Sequence, residues 1–161
     1  MEDRPTQTVI PGTRWAFSLI ELVVVMAIIG SLAAIAVPRF TDSVLHYRVE
    51  AAARRIAIDL NYARRHARYA NASQTVTFDV VSDSYELLGV QDLDRPTQSY
   101  VVTLSKNPHE AKILSADFGG SQDVIFDIYG IPDNGGQVLV AVGRWQKVVT
   151  LDAETGEATA E

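Results

Sequence analysis

The longest apolar run in the chain lies near its N-terminus. No charged side chain occurs in residues 22–37, and the five residues before it extend this segment to roughly the 20 residues that a helix needs to cross a bilayer. Glu21 is the exception, an acidic residue four positions after Phe17. The pattern predicts a membrane-inserted helix over residues 17–38 with a carboxylate near its start, preceded by a distinct segment over residues 1–16.

A second apolar pattern follows Pro38. Apolar residues recur at alternating steps of three and four, at Leu45, Val49, Ala52, Ile56, Leu60, Ala63, Ala67 and Ala70. This spacing is typical of one face of an amphipathic helix, so residues 39–71 are predicted to continue the helix from Phe17 to about Tyr69, where YANAS would end it. Pro38 has no backbone N–H and is predicted to kink this helix.

The apolar period changes from 3.6 to 2 after residue 72, which is typical of strands. Seven segments fit this pattern: QTVTFDV, YELLGV, SYVVTL, KILSA, DVIFDIYG, QVLVAVG and QKVVTL. Short runs of Gly, Pro, Asn, Asp and Ser separate them, at the spacing of antiparallel meanders. The predicted fold class is therefore α+β, with one long N-terminal helix packed on an antiparallel β-sheet head over residues 72–161.

Charge is distributed unevenly along the chain. Residues 39–71 hold seven arginines against three acidic residues, whereas residues 72–161 hold five basic against fourteen acidic residues, a net charge of −9. A basic helix is thus joined to an acidic head within a chain of net charge −6. The chain has no cysteine, which excludes disulfides and thiolate metal sites.

Three interpretations of the apolar segment compete. Residues 34–36, Ala-Ile-Ala, resemble the cleavage site of a secretory signal, but the stretch before the run is not cationic and such a signal has no use for Glu21. A plain membrane anchor would bury an ionised carboxylate at a cost of roughly 2.5–3.5 kcal/mol, with no Lys or Arg within one helical turn. Cleavage before Phe17 would instead create an α-amino group four positions from Glu21, and that cation could pair with the carboxylate.

Residues Phe17-Ser18-Leu19-Ile20-Glu21, followed by the apolar run with Gly30 and Pro38, resemble the N-terminus of type IV pilins and pseudopilins. The resemblance implies that a membrane-embedded prepilin peptidase cuts between Ala16 and Phe17 on the cytoplasmic side and methylates the new Phe17 amine. It also implies that Glu21 docks each subunit against the amine of a neighbour and so sets its register in a filament.

Two features depart from the pattern of that family. Ala16 stands where the family usually has glycine and the leader ends in TRWA rather than a basic pair, so we expect slower processing. Arginines are also denser after the apolar run than before it, and charge counting alone would keep the C-terminal side in the cytoplasm. The pilin-like N-terminal motif is more specific than the arginine count. It predicts that the C-terminal side lies outside the cytoplasm.

The resemblance extends into the head. The segment DLNYARRHARYANASQTVTFD resembles the end of the long helix and the first strand of the H-type (GspH-like) minor pseudopilins and the related FimT-like minor pilins. The segments DVIFDIYGIPDNGGQVLVAV and KVVTLDAETGEAT resemble the closing strands of that family, with a Phe-Asp-x-x-Gly turn and a terminal Thr-Gly hairpin. Residues 91–122 match no part of the family pattern.

The basic part of the helix suggests two interpretations. Five arginines are candidates for binding nucleic acid: Arg54, Arg55, Arg64, Arg65 and Arg68, with Arg64, Arg65 and Arg68 as the core of the patch. An acidic head would repel a polyanion, so we favour a solvated face or charge contacts with the acidic heads of neighbouring subunits. His46 and His66 have no second histidine four residues away, and no metal site is expected there.

Acidic clusters in the head are candidates for binding calcium. Asp92 with Asp94, and Asp133 with Asn134, could offer oxygen atoms, but neither pair has the spacing of an EF-hand. Both are typical of turns in which the side chain bonds the local backbone. The chain has no nucleophile elbow, no histidine paired with a nucleophile and no phosphate loop. We therefore expect no catalysis, cofactor or metal.

Together these patterns predict the precursor of a minor pseudopilin of a type II secretion system, assembled near the filament tip and supporting protein export. The expected partners are the prepilin peptidase, the inner membrane, other pseudopilins through the N-terminal helix, and secreted cargo, whereas nucleic acid is not expected. The head would lie in the periplasm behind a single inner-membrane pass.

Two alternatives stay open. One is a FimT-like minor type IV pilin, involved in pilus assembly or in DNA uptake through Arg64, Arg65 and Arg68. The other is a signal-anchored periplasmic binding domain that stays monomeric. The N-terminal motif is shared by pili, pseudopili and competence filaments, so it does not distinguish these assemblies.

Overall fold

The first element of the computed structural model is a long helix, α1 (Leu19–Ala70), of 52 residues. The structure describes residues 18–92 and 97–161, and the side chains of residues 35–39 lie outside the description. The Ser18 hydroxyl accepts a hydrogen bond from the Glu21 backbone N–H at 3.3 Å, so Ser18 caps the helix. The predicted kink at Pro38 falls on side chains outside the described residues and stays a prediction.

The helix ends as the sequence predicts. Asn71 takes a left-handed conformation with φ of 51°, and the Ala72 N–H donates to the Ala67 carbonyl at 3.2 Å. This hydrogen bond and the left-handed residue form the Schellman ending that often closes helices. The first strand starts two residues later.

The described chain divides into two compact units between Phe40 and Thr41. In the first unit the described residues are helical from Leu19 onward. The second unit contains the rest of α1 and all eight strands.

One sheet of the second unit contains four antiparallel strands: β1 (Gln74–Asp79), β2 (Ser84–Gln91), β3 (Ser99–Thr103) and β5 (Asp123–Phe126). Their spatial order is β3-β2-β1-β5. β5 pairs with β1 rather than with a sequence neighbour, with Val76 opposite Val124. Alternate residues of β1 are buried, as the period of two predicts.

The other sheet has the order β4-β6-β7-β8 and is also antiparallel. Its strands are β4 (Lys112–Asp117), β6 (Gly136–Val142), β7 (Trp145–Leu151) and β8 (Ala158–Ala160). β8 is too short to show a period of two, which explains why the strand pattern does not find it. The predicted α+β fold with a helix on antiparallel sheet is confirmed, and the sheet is divided into two.

Asp83 joins the two sheets. Its φ of 51° turns the chain between β1 and β2. Its carbonyl accepts the Leu104 N–H at 2.8 Å, and its carboxylate accepts the Ile113 N–H at the start of β4, also at 2.8 Å. One residue thus satisfies backbone donors on both sides of the junction between β3 and β4.

The core contains the predicted stripe of α1 together with residues of both sheets. Six of the eight predicted stripe positions are buried: Val49, Ala52, Ile56, Leu60, Ala63 and Ala67. Leu45 is half-buried, and Ala70, in the last turn, is exposed. Ala53 and Ala57 are buried as well, so the stripe is wider than predicted and its small side chains let the helix approach the strands closely.

Candidate functional site

Glu21 lies in the first turn of α1 and is exposed. Ser18 and Glu21 have the spacing of a capping box, and a carboxylate there also interacts favourably with the helix dipole. Glu21 can therefore stabilise the start of α1 as well as pair with an amine. Ala16 and Phe17, the predicted cleavage and methylation positions, lie outside the described residues.

The N-terminal part of α1 presents apolar side chains around its whole circumference. Every described side chain from Ser18 to Ala34 is exposed, and Leu19 is 81% and Ile20 67% accessible. Such a surface needs a partner, because burying apolar area is worth roughly 25 cal/mol per Å². Within the described residues, no helix combines the length and the hydropathy needed to cross a membrane.

Four arginines of the described chain form ion pairs, whereas the three predicted patch residues do not. Arg54 Nη2 lies 2.6 Å from Glu50 and Arg55 Nε lies 2.9 Å from Asp59. Two further pairs join α1 to the strand-bearing part: Arg48 with Glu110, and Arg144 with Asp42. No carboxylate of the described residues pairs with Arg64, Arg65 or Arg68.

Arg64 and Arg68 pack against the loop after β5. A Cβ built on Gly130 would lie 2.9 Å from the Arg64 Cγ and 2.9 Å from the Arg68 Cδ, so the aliphatic stems of both arginines cross this glycine. Arg64 is half-buried, and its Nε is buried without a hydrogen-bond partner in the described chain. The interpretation of this patch as a solvated face therefore applies to Arg65 and Arg68, which are exposed, and not to Arg64.

A buried carboxylate fastens α1 to the first sheet. Asp59 is 4% exposed and accepts hydrogen bonds from Tyr85 at 2.6 Å, Tyr100 at 3.0 Å and Arg55 at 2.9 Å. Arg55 also donates to the Tyr100 hydroxyl at 2.6 Å. Each polar group of this cluster thus has a partner, which is what makes burying a carboxylate tolerable.

The cluster changes the pKa values of its two tyrosines and of Arg55. Burial first, and then the charge of Asp59, raise the pKa of Tyr85 well above its ordinary value, and the same causes raise the pKa of Tyr100. Burial disfavours the charged form of Arg55, but the charge and hydrogen bond of Asp59 outweigh it and raise the pKa of Arg55. The tyrosines therefore stay neutral donors and Asp59 stays within reach of a permanent cation.

The sequence pattern missed this cluster. Asp59 lies between Ile56 and Leu60 on the apolar face of α1, where an unpaired acid would be costly. An acid at that position, four residues after Arg55, is the signal that could have indicated a buried pair. The tyrosine partners are distant in sequence and could not be assigned from spacing.

The two histidines of α1 contact aromatic side chains. His46 meets Trp145 edge to face with ring centroids 4.7 Å apart, and Arg144 lies over the same indole at 5.2 Å. His66 lies 6.0 Å from the ring of Tyr62. Among the described residues, no group of three His, Cys, Asp or Glu side chains is placed to hold a metal ion.

Asp133 serves the turn in which it lies. Its carboxylate accepts the Ile125 N–H at 3.0 Å and the Asn134 N–H at 2.9 Å, in agreement with its interpretation as a turn residue. The hydrogen bond to Ile125 also satisfies a donor at the outer edge of β5. The Asp92 N–H donates to the Gln98 carbonyl, and Asp94 lies outside the described residues.

Comparison with solved structures identifies the fold. The chain is similar to the minor pseudopilin EpsH from the type 2 secretion system of Vibrio cholerae, with a TM-score of 0.53 and 16% identity over 71% of this chain and 96% of that one. It is also similar to the type IV minor pilin FimU of Pseudomonas aeruginosa strain PAO1, with a TM-score of 0.50 and 12% identity over 69% and 90% of the two chains. These similarities confirm the predicted pilin-like fold.

Sequence comparisons find no further relative. No protein-family model and no curated protein matches the chain. At 12–16% identity the structural similarity establishes the fold alone.

Proposed function

We propose that the chain is the precursor of a minor pseudopilin, inserted in the inner membrane with its leader in the cytoplasm and assembled into a short periplasmic filament. Its work is binding rather than catalysis. Residues 17–38 would form the membrane and filament-core helix, residues 39–71 the part of the helix that packs on the head, and residues 72–161 the periplasmic head. The apolar exposed surface of α1 from Leu19 to Ala34 is the observation that carries this proposal.

That surface fits a helix that moves from the apolar interior of the membrane to the apolar core of a filament. A helix with an apolar face all round is normally buried in a protein core or a bilayer, and the same chain also contains a folded, acidic unit. The proposed membrane segment includes Phe17 and residues 35–38, whose side chains lie outside the described part, so its span rests on the sequence. The pilin-like fold supports the assignment to a filament rather than to a monomeric binding domain.

Glu21 would set the position of each subunit. Cleavage between Ala16 and Phe17 by a prepilin peptidase, followed by methylation of the Phe17 amine, leaves a cation close to the start of α1. Pairing of the Glu21 carboxylate with the amine of a neighbouring subunit would be strong because surrounding apolar side chains exclude water. Such a pair fixes axial register, whereas apolar packing alone tolerates sliding.

Replacement of Glu21 tests this role. We expect Glu21→Ala and Glu21→Gln to insert in the membrane normally. We also expect their recovery from sheared filaments to be at least about tenfold lower than that of the parent chain. The Phe17 amine of the neighbouring subunit would be left buried and unpaired, at a cost on the order of 3 kcal/mol. Ser18→Ala is the matched control, because it removes the helix cap at a cost of about 1 kcal/mol without removing the carboxylate.

The control separates the two roles of Glu21. If Ser18→Ala impairs incorporation as strongly as Glu21→Gln, then helix capping and not charge pairing explains the defect. Normal incorporation of Glu21→Gln would refute the register role.

A minor type IV pilin is the second candidate. The similarity to FimU favours it nearly as much as the similarity to EpsH favours a pseudopilin. The two candidates differ in the assembly that the chain joins: loss of the gene would impair protein export in the first case and surface pili in the second. Contact with secreted cargo belongs to the first candidate only.

A further inference from the structure

The end of α1 and the loop after β5 form one surface with an unusual composition. We define the arginine–tyrosine surface by Arg64, Arg65, Arg68, Tyr69 and Tyr129. Tyr69 is 92% and Tyr129 69% exposed. The two parts meet at Gly130, which follows Tyr129 and carries the stems of Arg64 and Arg68. Arginine and tyrosine are, with tryptophan, the residues enriched among those that dominate the binding energy of protein interfaces.

The loop holds its part of this surface rigidly. The Asp127 carboxylate accepts the Tyr129 N–H at 2.9 Å and the Ile131 N–H at 2.8 Å. The Asp127 backbone bonds the same loop twice more, accepting the Gly130 N–H and donating to the Ile131 carbonyl, each at 2.9 Å. A surface that is already ordered loses little conformational entropy when a partner binds.

The three guanidinium groups have no carboxylate partner among the described residues. No carboxylate of the described chain pairs with Arg64, Arg65 or Arg68, although most other described arginines form such a pair and the head has an excess of acids. The buried Nε of Arg64 adds a donor without an acceptor. The planar guanidinium group of arginine can donate two parallel hydrogen bonds to a carboxylate or a phosphate.

The size of the surface decides between these two anions. The strong, salt-dependent affinity of proteins for duplex DNA comes with about 6–10 phosphate contacts, and three arginines provide fewer. An extended polyanion would also run over a head of net charge −9. A short acidic protein segment meets neither difficulty, and it can place apolar side chains on Tyr69 and Tyr129.

We propose that the arginine–tyrosine surface binds a carboxylate-bearing, partly apolar segment of another filament subunit. The acidic character of the head supplies the complementary charge, because a subunit with a similarly acidic head would present carboxylates to the basic end of α1. A contact between unlike surfaces of successive subunits does not close as a two-fold dimer and can extend into a filament. The identification of the partner as a subunit rests on the proposed function.

The test uses the full chain in detergent micelles and a fluorescent twelve-residue peptide of alternating Glu and Leu, followed by anisotropy. We expect saturable binding that weakens as salt is raised, and a loss of about tenfold in affinity for the double variant Arg65→Ala/Arg68→Ala, as two exposed charge pairs together provide. Tyr129→Ala should weaken binding about threefold with no change of charge. If the double variant does not fold, Arg65→Ala alone replaces it, since Arg65 is exposed.

Three controls make the test decisive. Arg54→Ala removes an exposed arginine that is already paired with Glu50, and it should leave binding unchanged; an equal loss in this variant would show general charge attraction and overturn the proposal. A peptide with Gln in place of Glu should not bind. Tighter binding of a twelve-nucleotide oligothymidine than of the acidic peptide at equal salt would overturn it in favour of nucleic acid, as would the absence of peptide binding.

This result is independent of filament assembly. If the acidic peptide does not bind while Glu21→Ala still abolishes incorporation, the docking proposal fails and the proposed function stands. If the peptide binds but incorporation does not depend on Glu21, the docking surface stands and its assignment to a filament subunit fails.

Discussion

At the scale of single residues, buried polar groups hold the head on α1. Asp59 receives three hydrogen bonds from side chains of three different elements, and Asn61 bonds both backbone groups of Ala158 at 2.8 and 3.2 Å. These directional contacts determine the register of the helix on the strands, which a stripe of alanines cannot do alone.

Asp59→Ala is therefore expected to destabilise the chain by on the order of 3 kcal/mol. The change removes the carboxylate that accepts hydrogen bonds from Arg55 and from two tyrosine hydroxyls. Urea unfolding followed by Trp fluorescence measures this loss. Glu50→Ala is the matched control, since it breaks another pair spaced four residues apart on α1, with both partners more exposed, and should cost about 0–1 kcal/mol. Equal losses in the two variants would contradict the structural role of the cluster.

His109 gives the head a predicted dependence on pH. Burial first, and then the charge of Arg55, lower the pKa of His109 below its ordinary 6.5. The unfolded chain then binds more protons than the folded chain below about pH 7, so the free energy of unfolding should decrease as the pH falls from 7.5 to 5.5. Carboxylates with lowered pKa values, such as Asp152, contribute only below about pH 5.

The His109→Gln variant isolates this effect. Its free energy of unfolding should change less between pH 7.5 and 5.5 than that of the parent chain, measured in the same detergent by urea titration. An unchanged pH dependence would show that His109 is not the group responsible.

At the scale of elements, the apolar periodicity of the sequence predicted the helix and most strands but not how the strands pair. The alternation of Gln74–Asp79 and the stripe from Val49 to Ala67 are local patterns, and both are found as predicted. The pairing of β5 with β1 and the division into two sheets depend on contacts far apart in sequence, which periodicity does not record. β8 has three residues and no pattern to detect.

The role of Gly136 in β6 also depends on contacts that the apolar periodicity does not record. A Cβ on Gly136 would lie 2.2 Å from the Asp117 carbonyl oxygen and 2.5 Å from the Phe118 ring, so β6 can approach β4 only with glycine at this position. We expect Gly136→Ala to cost about 3 kcal/mol or more, since backbone atoms would have to move. Chemical denaturation measures the loss.

Gly89→Ala is the comparison for that variant. Gly89 also lies in a strand, and its φ of 76° is unfavourable for alanine, but nothing lies within 4 Å of the added Cβ. Its expected cost is about 1–2 kcal/mol. A larger loss for Gly89→Ala than for Gly136→Ala would contradict the close approach of β6 and β4.

At the scale of the whole molecule, the chain combines an apolar helix surface with an acidic head and a pilin-like fold. The motif from Phe17 to Glu21 predicts this class of fold from sequence alone, because the resemblance lies in residues that are adjacent in the chain. The arginine–tyrosine surface could not be predicted in the same way, since Gly130 brings Tyr129 to the arginines only in the folded chain. The assembly proposed for the chain depends on its partners and not on its own fold.

Mass spectrometry of the mature N-terminus, on material purified from assembled filaments, tests whether the chain is cut before Phe17 and methylated there. We predict a chain that begins at Phe17 and carries one methyl group on its amine. A chain that retains Met1, or one that begins at Val37, would contradict it.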